Sequence, residues 1–262
     1  MAEVSEKVKK QKASNEEIET TDDLVAALKQ DFATSVNRVY INSLDKEVSF
    51  REITVQEQKT LTRIMAGNEQ RKDIVYDAQC ALINTACLDE TFDVYQVSEF
   101  DRIKLLMSIY QANMFANEIK FTCEHCGAEN NYQLDFANVL EKLDDFDLDS
   151  KTFKYENKHF AYTFTVQFPT VRKVSAFYKA YCQKHKGSPR RTMKADEGLQ
   201  NVEYANLFIK DVKIEVKATG KKREINFENH KVGDIEEIMA AFPQDVLYTD
   251  TGVLKYILNN FI

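Results

Sequence analysis

The chain has 262 residues, of which 44% are hydrophobic, and its formal net charge is −7 at pH 7. This length predicts one large domain or two small ones, and the acidic balance argues against a protein that binds nucleic acid or an anionic membrane surface through a basic face. The sequence has no run of about 18 or more apolar residues, so it predicts no membrane-spanning helix.

The numbers of cysteine, glycine and proline residues indicate the compartment of the protein and its secondary-structure content. The five cysteines and the lack of an apolar core in the first residues argue against a secretory signal and predict free thiols in a reducing cytosol. Only seven glycines and three prolines are present, which favours a helix-rich body. The polar residues 1–20 are predicted to be a disordered tail.

The first half of the chain predicts a hairpin followed by helices. After a short helix at 24–32, two alternating segments flank the polar turn "NSLDKE" and predict a β-hairpin over 36–53. Thr54 and Glu57 have the spacing of a capping box at the start of a helix. Helical periodicity predicts three helices in this region, over 54–68, 71–87 and 98–117.

The second half predicts more strands. A hairpin is expected over 117–137, with its outgoing strand at 132–136, and the acidic residues 141–151 form a linker to strands at 152–157 and 159–168. Four helices and one hairpin complete the list, with helices at 170–185, 199–209, 232–242 and 253–262 and the hairpin at 213–229. The last residues are apolar and are expected to pack against another part of the structure or a partner. This order of elements predicts an α+β fold rather than a parallel α/β sheet.

The same patterns predict the domain organisation. We expect a main α+β domain over 21–186 that carries the C-x₂-C hairpin at 117–137. A polar segment with glycine, serine and proline predicts a flexible loop at 187–198. Residues 199–262 then form a helix–hairpin–helix region packed on the main domain.

Cys123 and Cys126 are the residues most suggestive of a site. A C-x₂-C turn supplies two of the four ligands of a structural zinc ion, and Gly127 after it tolerates the backbone angle that such a turn needs. The flanking strands predict a zinc-ribbon-like hairpin. A metal-free turn kept for its shape is the alternative, and a redox or shared-metal role is a third.

The sequence has no second C-x₂-C pair. Cys182 and His185 lie three residues apart near a helix end and share a face, so they are the best candidates to complete a Cys₃His zinc site. His125, inside the turn, is a weaker alternative. A structural zinc site has no open position for a substrate, so it does not predict an enzyme.

Other candidate sites are poorer. An acidic run suits a divalent cation but lacks the remaining residues of a calcium loop, and a solvated linker explains it better. A basic run suits nucleic acid, although a surface loop explains it better. The acidic run is Asp144, Asp145, Asp147 and Asp149, and the basic run is Arg190, Arg191 and Lys194. The phosphate-binding, metalloprotease and serine-hydrolase motifs are absent from the sequence.

The stretch "VYINSLDKEVSFREITVQEQKTL", followed by two long helices and then "IKFTCEHCGAENNYQLDF", resembles the baseplate hub proteins of T4-like contractile-tailed bacteriophages. The resemblance covers about residues 36–170. It implies a non-enzymatic structural or assembly component of the tail baseplate hub, in the virion or in the host cytoplasm during assembly. It also implies other hub and tail proteins as partners in a homo- or hetero-oligomer.

Two other functions fit the residues. A zinc-knuckle adaptor or regulator would bind nucleic acid or a protein partner through a basic patch near Arg190 and Arg191. A thiol enzyme would need at least one cysteine with a low pKa. The hub hypothesis gives Cys123 and Cys126 the role of pinning a hairpin, with or without a zinc ion.

Overall fold

A computed structural model describes residue 24 and residues 36–68, 70–112, 118–133, 135–144, 146–186, 197–249 and 251–261. Helices and antiparallel sheets are mixed along this part of the chain, which confirms the predicted α+β class. The described strands form two separate hairpins and one four-stranded sheet. No helix among the described residues is long and apolar enough to span a membrane.

The predicted first hairpin is confirmed. Strands β1 (Val36–Ile41) and β2 (Lys46–Arg51) pair antiparallel around a short 3₁₀ turn. Asp45 closes the turn with a φ of 50°, in the left-handed region. The turn is held from outside by Asp101, whose buried carboxylate accepts hydrogen bonds from backbone N–H groups in the turn. The hairpin is thus fixed to a helix later in the chain.

Three helices follow, as the sequence predicts. They are α1 (Val55–Gly67), α2 (Lys72–Ala86) and α3 (Glu99–Ala112), and residues 113–117 of the expected third helix lie outside the described part. The capping box at the start of α1 is confirmed, because Thr54 and Glu57 satisfy each other's backbone N–H groups. Helices α2 and α3 pack with the first hairpin around a core that includes Ile41, Phe50, Cys80, Ile83, Val94, Leu105, Ile109, Val174 and Phe177.

The next hairpin is shorter than predicted, and a helix follows it. Strands β3 (Glu118–Thr122) and β4 (Glu129–Gln133) pair antiparallel, and helix α4 runs over Phe136–Asp144. The predictions of a strand over 132–136 and of a linker over 141–151 are therefore wrong where α4 overlaps them, at Phe136 and at residues 141–144. Asp135 caps the helix, because its carboxylate accepts the N–H of Asn138 at 3.1 Å.

The remaining strands form one antiparallel sheet in the order β5-β6-β7-β8. These strands are β5 (Lys151–Glu156), β6 (Phe160–Val166), β7 (Ile209–Val216) and β8 (Lys221–Asn226). They match the predicted strands and hairpin. The sheet joins segments on both sides of residues 187–196, since β6 pairs with β7.

One face of this sheet is apolar and the other is polar. The apolar face packs under helices in a core that includes Phe164, Val166, Val212, Phe227, Ile235, Met239, Leu247, Leu254 and Ile257. The opposite face carries ion pairs between neighbouring strands, such as Lys213 with Glu224 and Lys222 with Glu215. This division is typical of an antiparallel sheet with one side in water.

The remaining helices are α5 (Val171–Lys184), α6 (Glu197–Ala205), α7 (Val232–Ala240), α8 (Gln244–Leu247) and α9 (Val253–Asn260). All but the short α8 were predicted. The expected docking of the apolar last residues is confirmed: Ile257 is fully buried, and the Phe261 ring lies 5.3 Å from that of Phe168.

Several predictions fall outside the described residues. They are the tail at 1–20, all but Leu24 of the helix at 24–32, and most of the loop at 187–198. The division into a main domain and a C-terminal region therefore stays a prediction.

Candidate functional site

The β3–β4 hairpin carries the predicted C-x₂-C turn on an exposed arm. Every residue of β4 is exposed, and among the described elements the two strands pack extensively only on each other. Phe121 and Tyr132 have relative exposures of 53% and 59%, and the strand register places them on the same face. Exposed aromatic side chains of this kind are common at protein–protein contacts.

The backbone conformation of the C-x₂-C turn is fixed by hydrogen bonds. The N–H of Gly127 donates to the Cys123 carbonyl at 2.8 Å, and the N–H of Cys123 donates to the Ala128 carbonyl at 2.9 Å. Gly127 has a φ of 69°, which glycine adopts without strain. Hydrogen bonds from the backbone N–H groups of His125 and Cys126 lower the pKa of the Cys123 thiol.

The structure places the other predicted ligands elsewhere. Cys182 is buried on α5 next to Asp73 at the start of α2, and burial raises the pKa of its thiol. His185 caps the C-terminal end of α5, and its ring lies 4.5 Å from that of Tyr181.

Within the described residues, no group of three or more histidine, cysteine or acidic side chains is placed to hold a metal ion. The structure therefore does not assemble Cys123, Cys126, Cys182 and His185 into one site, and it does not show a zinc ribbon. Zinc binding by the C-x₂-C turn stays a prediction.

Two cysteines lie between the helices and the first hairpin. Cys80 is completely buried on α2, and burial raises the pKa of its thiol to about 12. Burial also raises the pKa of the Cys87 thiol, which is only partly exposed. A thiol nucleophile needs a lowered pKa and access to solvent, so neither residue has the surroundings of a catalytic cysteine.

The acidic run is tied to the fold. Asp144 at the end of α4 pairs with the buried ammonium group of Lys104, and Asp147 pairs with Lys151. Phe146 stacks on Phe100 with ring centroids 5.3 Å apart. The described part of this segment is therefore anchored by ion pairs and an aromatic contact, which differs from the solvated linker that the sequence predicts. The basic run 190–194 lies outside the described residues.

A second exposed feature is an apolar groove beside strand β8. Its floor is formed by side chains of β6, β7 and β8, and its wall by the end of α7, with a volume of about 610 Å³. Phe160, Tyr162, Ile214 and Ile225 lie on the floor, and Phe242 forms part of the wall. The strand pairing explains this composition, because it brings alternating apolar residues of three strands to one face.

The rim of this groove is basic. Lys221 and Arg223 are exposed on β8 and share its groove-facing side, opposite Val216 and Ile214. No ion pair joins either cation to another residue in the described part of the chain, whereas Lys222 between them pairs with Glu215 on the other face. The groove thus combines an apolar floor with two unpaired positive charges.

Strand β8 is also an open edge. It ends the sheet order β5-β6-β7-β8, and no other described strand pairs with its outer side. Backbone N–H and C=O groups along such an edge are available to an added strand. The sequence predicts this hairpin but not the groove, although the alternation of Lys221, Arg223 and Ile225 indicates a face that is basic at one end and apolar at the other.

Comparison with known proteins identifies the family. No curated protein and no solved structure gives a significant match. The family model described as "T4 bacteriophage base plate protein" matches residues 33–249. This range covers all the described strands, β1 to β8, and therefore includes the C-x₂-C hairpin and the β8 groove. The chain therefore belongs to the T4 bacteriophage base plate protein family.

Proposed function

We propose that this protein is a non-enzymatic component of the baseplate hub, either retained in the tail or acting during its assembly, and that it works through contacts with other tail proteins. Membership of the baseplate family supports a structural role in the virion tail. The likeness of about residues 36–170 to hub proteins supports the hub in particular. The described cysteines outside the hairpin lack the surroundings of a catalytic thiol, which agrees with a structural role.

The observation that carries the contact role is the β8 groove. An open edge, an apolar floor and two unpaired cations together suit an extended, acidic segment that bears apolar side chains. Such a segment would add a strand to β8, place its apolar side chains beside Ile225 on the groove side of the sheet, and pair its carboxylates with Lys221 and Arg223. Lysine on an edge strand discourages pairing with uncharged strands, so charge selects an acidic partner.

The test is a binding comparison with matched charge reversals. The tagged chain is co-expressed with each baseplate protein of the same phage, and complexes are isolated and measured by calorimetry. We expect the double variant Lys221→Glu/Arg223→Glu to bind its hub partner at least about tenfold more weakly, because like charges then face each other. Added salt should weaken the wild-type complex, because exposed charges are screened.

The matched control is Lys59→Glu/Arg63→Glu. These two cations are also exposed, and they lie four residues apart on α1, away from the groove. The control should bind like the wild type, and both double variants should keep the wild-type circular dichroism spectrum. Equal binding by the groove variant and the wild type would refute the groove as the contact. A wild-type dimer that the groove variant abolishes would identify a second copy of the chain as the occupant instead.

A zinc-knuckle adaptor that binds nucleic acid remains the alternative function. It requires a positively charged surface that holds phosphates, whereas the described polar face of the large sheet carries ion pairs of both signs between its strands. A gel-shift titration at low salt with single- and double-stranded DNA and RNA separates the two functions. Retardation that Lys221→Glu/Arg223→Glu removes would favour the adaptor over the hub component.

A further inference from the structure

The C-x₂-C turn has the form of half a metal site, and its other half is not found among the described residues of the chain. Cys123 and Cys126 lie at the tip of the projecting β3–β4 arm, one partly exposed and one exposed. The backbone of the turn is fixed by the two hydrogen bonds around Cys123 and Gly127, so the sulfur atoms are presented together rather than spread by a flexible loop. Zinc requires four ligands in a tetrahedron, and sulfur ligands bind it at about 2.3 Å.

The described residues do not supply the missing two ligands. No third histidine, cysteine or carboxylate side chain joins the two cysteines in the described part of the chain. Cys80, Cys87 and Cys182 are buried or partly buried in the body and are used in packing. A body residue would have to leave its place to reach the exposed tip.

We propose that the turn binds zinc between two copies of the chain, with Cys123 and Cys126 of each copy as the four ligands. Each copy supplies a preformed pair at an exposed tip, so two tips can meet without rearranging either body. The four thiols lose their protons on binding, and the zinc ion joins two arms in a closed Cys₄ site.

The face of the hairpin supports pairing between copies. Phe121 and Tyr132 share one side of the arm, with Phe121 near the turn and Tyr132 two residue pairs further from it, and both are largely exposed in the single chain. Bringing two arms together at the tip allows the Phe121 ring to become buried against the other copy, and Tyr132 extends the same apolar side along the arm, which adds an apolar contact to the metal link.

The test measures zinc content and mass together on the full-length chain. Protein purified under reducing conditions with added zinc is analysed by elemental analysis and by light scattering, before and after treatment with EDTA. We expect one zinc ion per two chains and a dimer that EDTA converts to monomer. Cobalt(II) in place of zinc should give the intense sulfur-to-metal charge-transfer bands of a four-thiolate tetrahedral site.

Two variants locate the ligands. Cys123→Ser should abolish both metal binding and the dimer, and it should not unfold the chain because the residue lies on an exposed arm. Cys182→Ser is the matched control, since it removes a cysteine from the body and should leave the metal content and the dimer unchanged. Circular dichroism checks that both variants are folded.

Three results would overturn the proposal. A monomer with one zinc ion per chain would place all four ligands in a single copy, and loss of the metal in Cys182→Ser would make that residue one of them. A metal-free protein under these conditions would make the turn a plain hairpin. A dimer that persists in EDTA and in Cys123→Ser would show that the two copies associate without the metal. Each of these results leaves the hub proposal standing, because that proposal rests on the family and on the β8 groove.

Discussion

The Arg102 guanidinium group lies 2.6 Å from the carboxylate of Glu99, one turn earlier on α3, and both side chains are buried. The pair does not stand alone. The Arg102 guanidinium also lies 4.4 Å from the centre of the Tyr76 ring, and the Tyr76 hydroxyl donates to the Glu99 carboxylate. A buried ion pair of this kind contributes little when intact, but it becomes costly when only one partner is removed.

The first prediction concerns this pair. Arg102→Met should destabilise the protein by about 3–5 kcal/mol, because it leaves the Glu99 carboxylate buried without its partner. The double variant Glu99→Gln/Arg102→Met should recover part of that loss. Urea unfolding at pH 7 measures both. Arg172→Met is the control, since its pair with Asp93 is more exposed and should contribute little to stability. Equal losses in the two single variants would contradict the prediction.

The second prediction concerns the capping box of α1. Hydrogen bonds from the Arg51 guanidinium group, aided by those from Thr54, lower the pKa of Glu57 to about 2 from its ordinary value of 4.5. Because the folded-state pKa is below the unfolded one, Glu57 stabilises the fold above about pH 4.5, and this contribution is lost as pH falls through about 2. Glu57→Gln should therefore cost about 1 kcal/mol at pH 7 and progressively less between these two values.

Urea unfolding of wild type and Glu57→Gln at pH 7, 4 and 2.5 checks this dependence. Glu237→Gln, an exposed substitution on α7, serves as the control and should not reproduce the pH-dependent difference. A difference between Glu57→Gln and wild type that stays constant over this range would show that the capping carboxylate is not responsible.

The third prediction concerns Asp101. Its carboxylate accepts hydrogen bonds from the backbone N–H groups of Asn42 and Ser43, both at 3.0 Å, and from the Ser98 hydroxyl at 2.8 Å. Asp101→Ala should destabilise the protein by about 2–3 kcal/mol, since these hydrogen bonds involve a charged acceptor. Asp101→Asn should cost less, because its amide oxygen still accepts. Hydrogen–deuterium exchange should show that the backbone amides of Asn42 and Ser43 exchange faster in Asp101→Ala than in the wild type. Unchanged exchange there would refute the link between α3 and the turn.

The fourth prediction concerns thiol reactivity in the metal-free protein. Two of the five cysteines, Cys123 and Cys126, should react rapidly with a thiol reagent at pH 7.5, because they lie on the exposed arm. Cys80 should react only on unfolding, since burial raises the pKa of its thiol to about 12 and excludes the reagent. Mass spectrometry after timed alkylation assigns each site. Fast modification of Cys80 in the folded protein would contradict its placement in the core.

Local sequence patterns predicted much of the fold. The spacing of Thr54 and Glu57 predicts the start of α1, and the pattern over 159–168 predicts a strand, on which Tyr162, Phe164 and Val166 lie buried on one face. These predictions succeed because the same few residues set both the pattern and the contact. The polar turn of the first hairpin was also predicted, but its attachment to Asp101 was not, because that contact joins residues almost 60 positions apart.

Helix α4 shows where local patterns compete. Tyr132 and Phe136 fit an alternating strand, and this prediction hid the helical spacing of Phe136, Val139, Leu140 and Leu143. The capping residue Asp135 was the signal that could have separated the two.

The groove could not be predicted in the same way. It depends on pairing between β6 and β7, whose residues are more than 40 positions apart, and on the placement of the end of α7 against them. Such long-range pairing leaves no periodic pattern in the sequence. The C-x₂-C turn was found from its spacing alone, but the position of Cys182 beside Asp73 depends on how α5 packs against α2.

Chemical cross-linking of purified tails, followed by mass spectrometry, tests the central claim most directly. We expect peptides of this chain in purified tails or in hub assembly intermediates, with Lys221 or Lys222 cross-linked to acidic segments of hub proteins. Absence of the chain from both preparations, or cross-links only to peripheral baseplate subunits, would contradict a hub component that acts through the β8 groove.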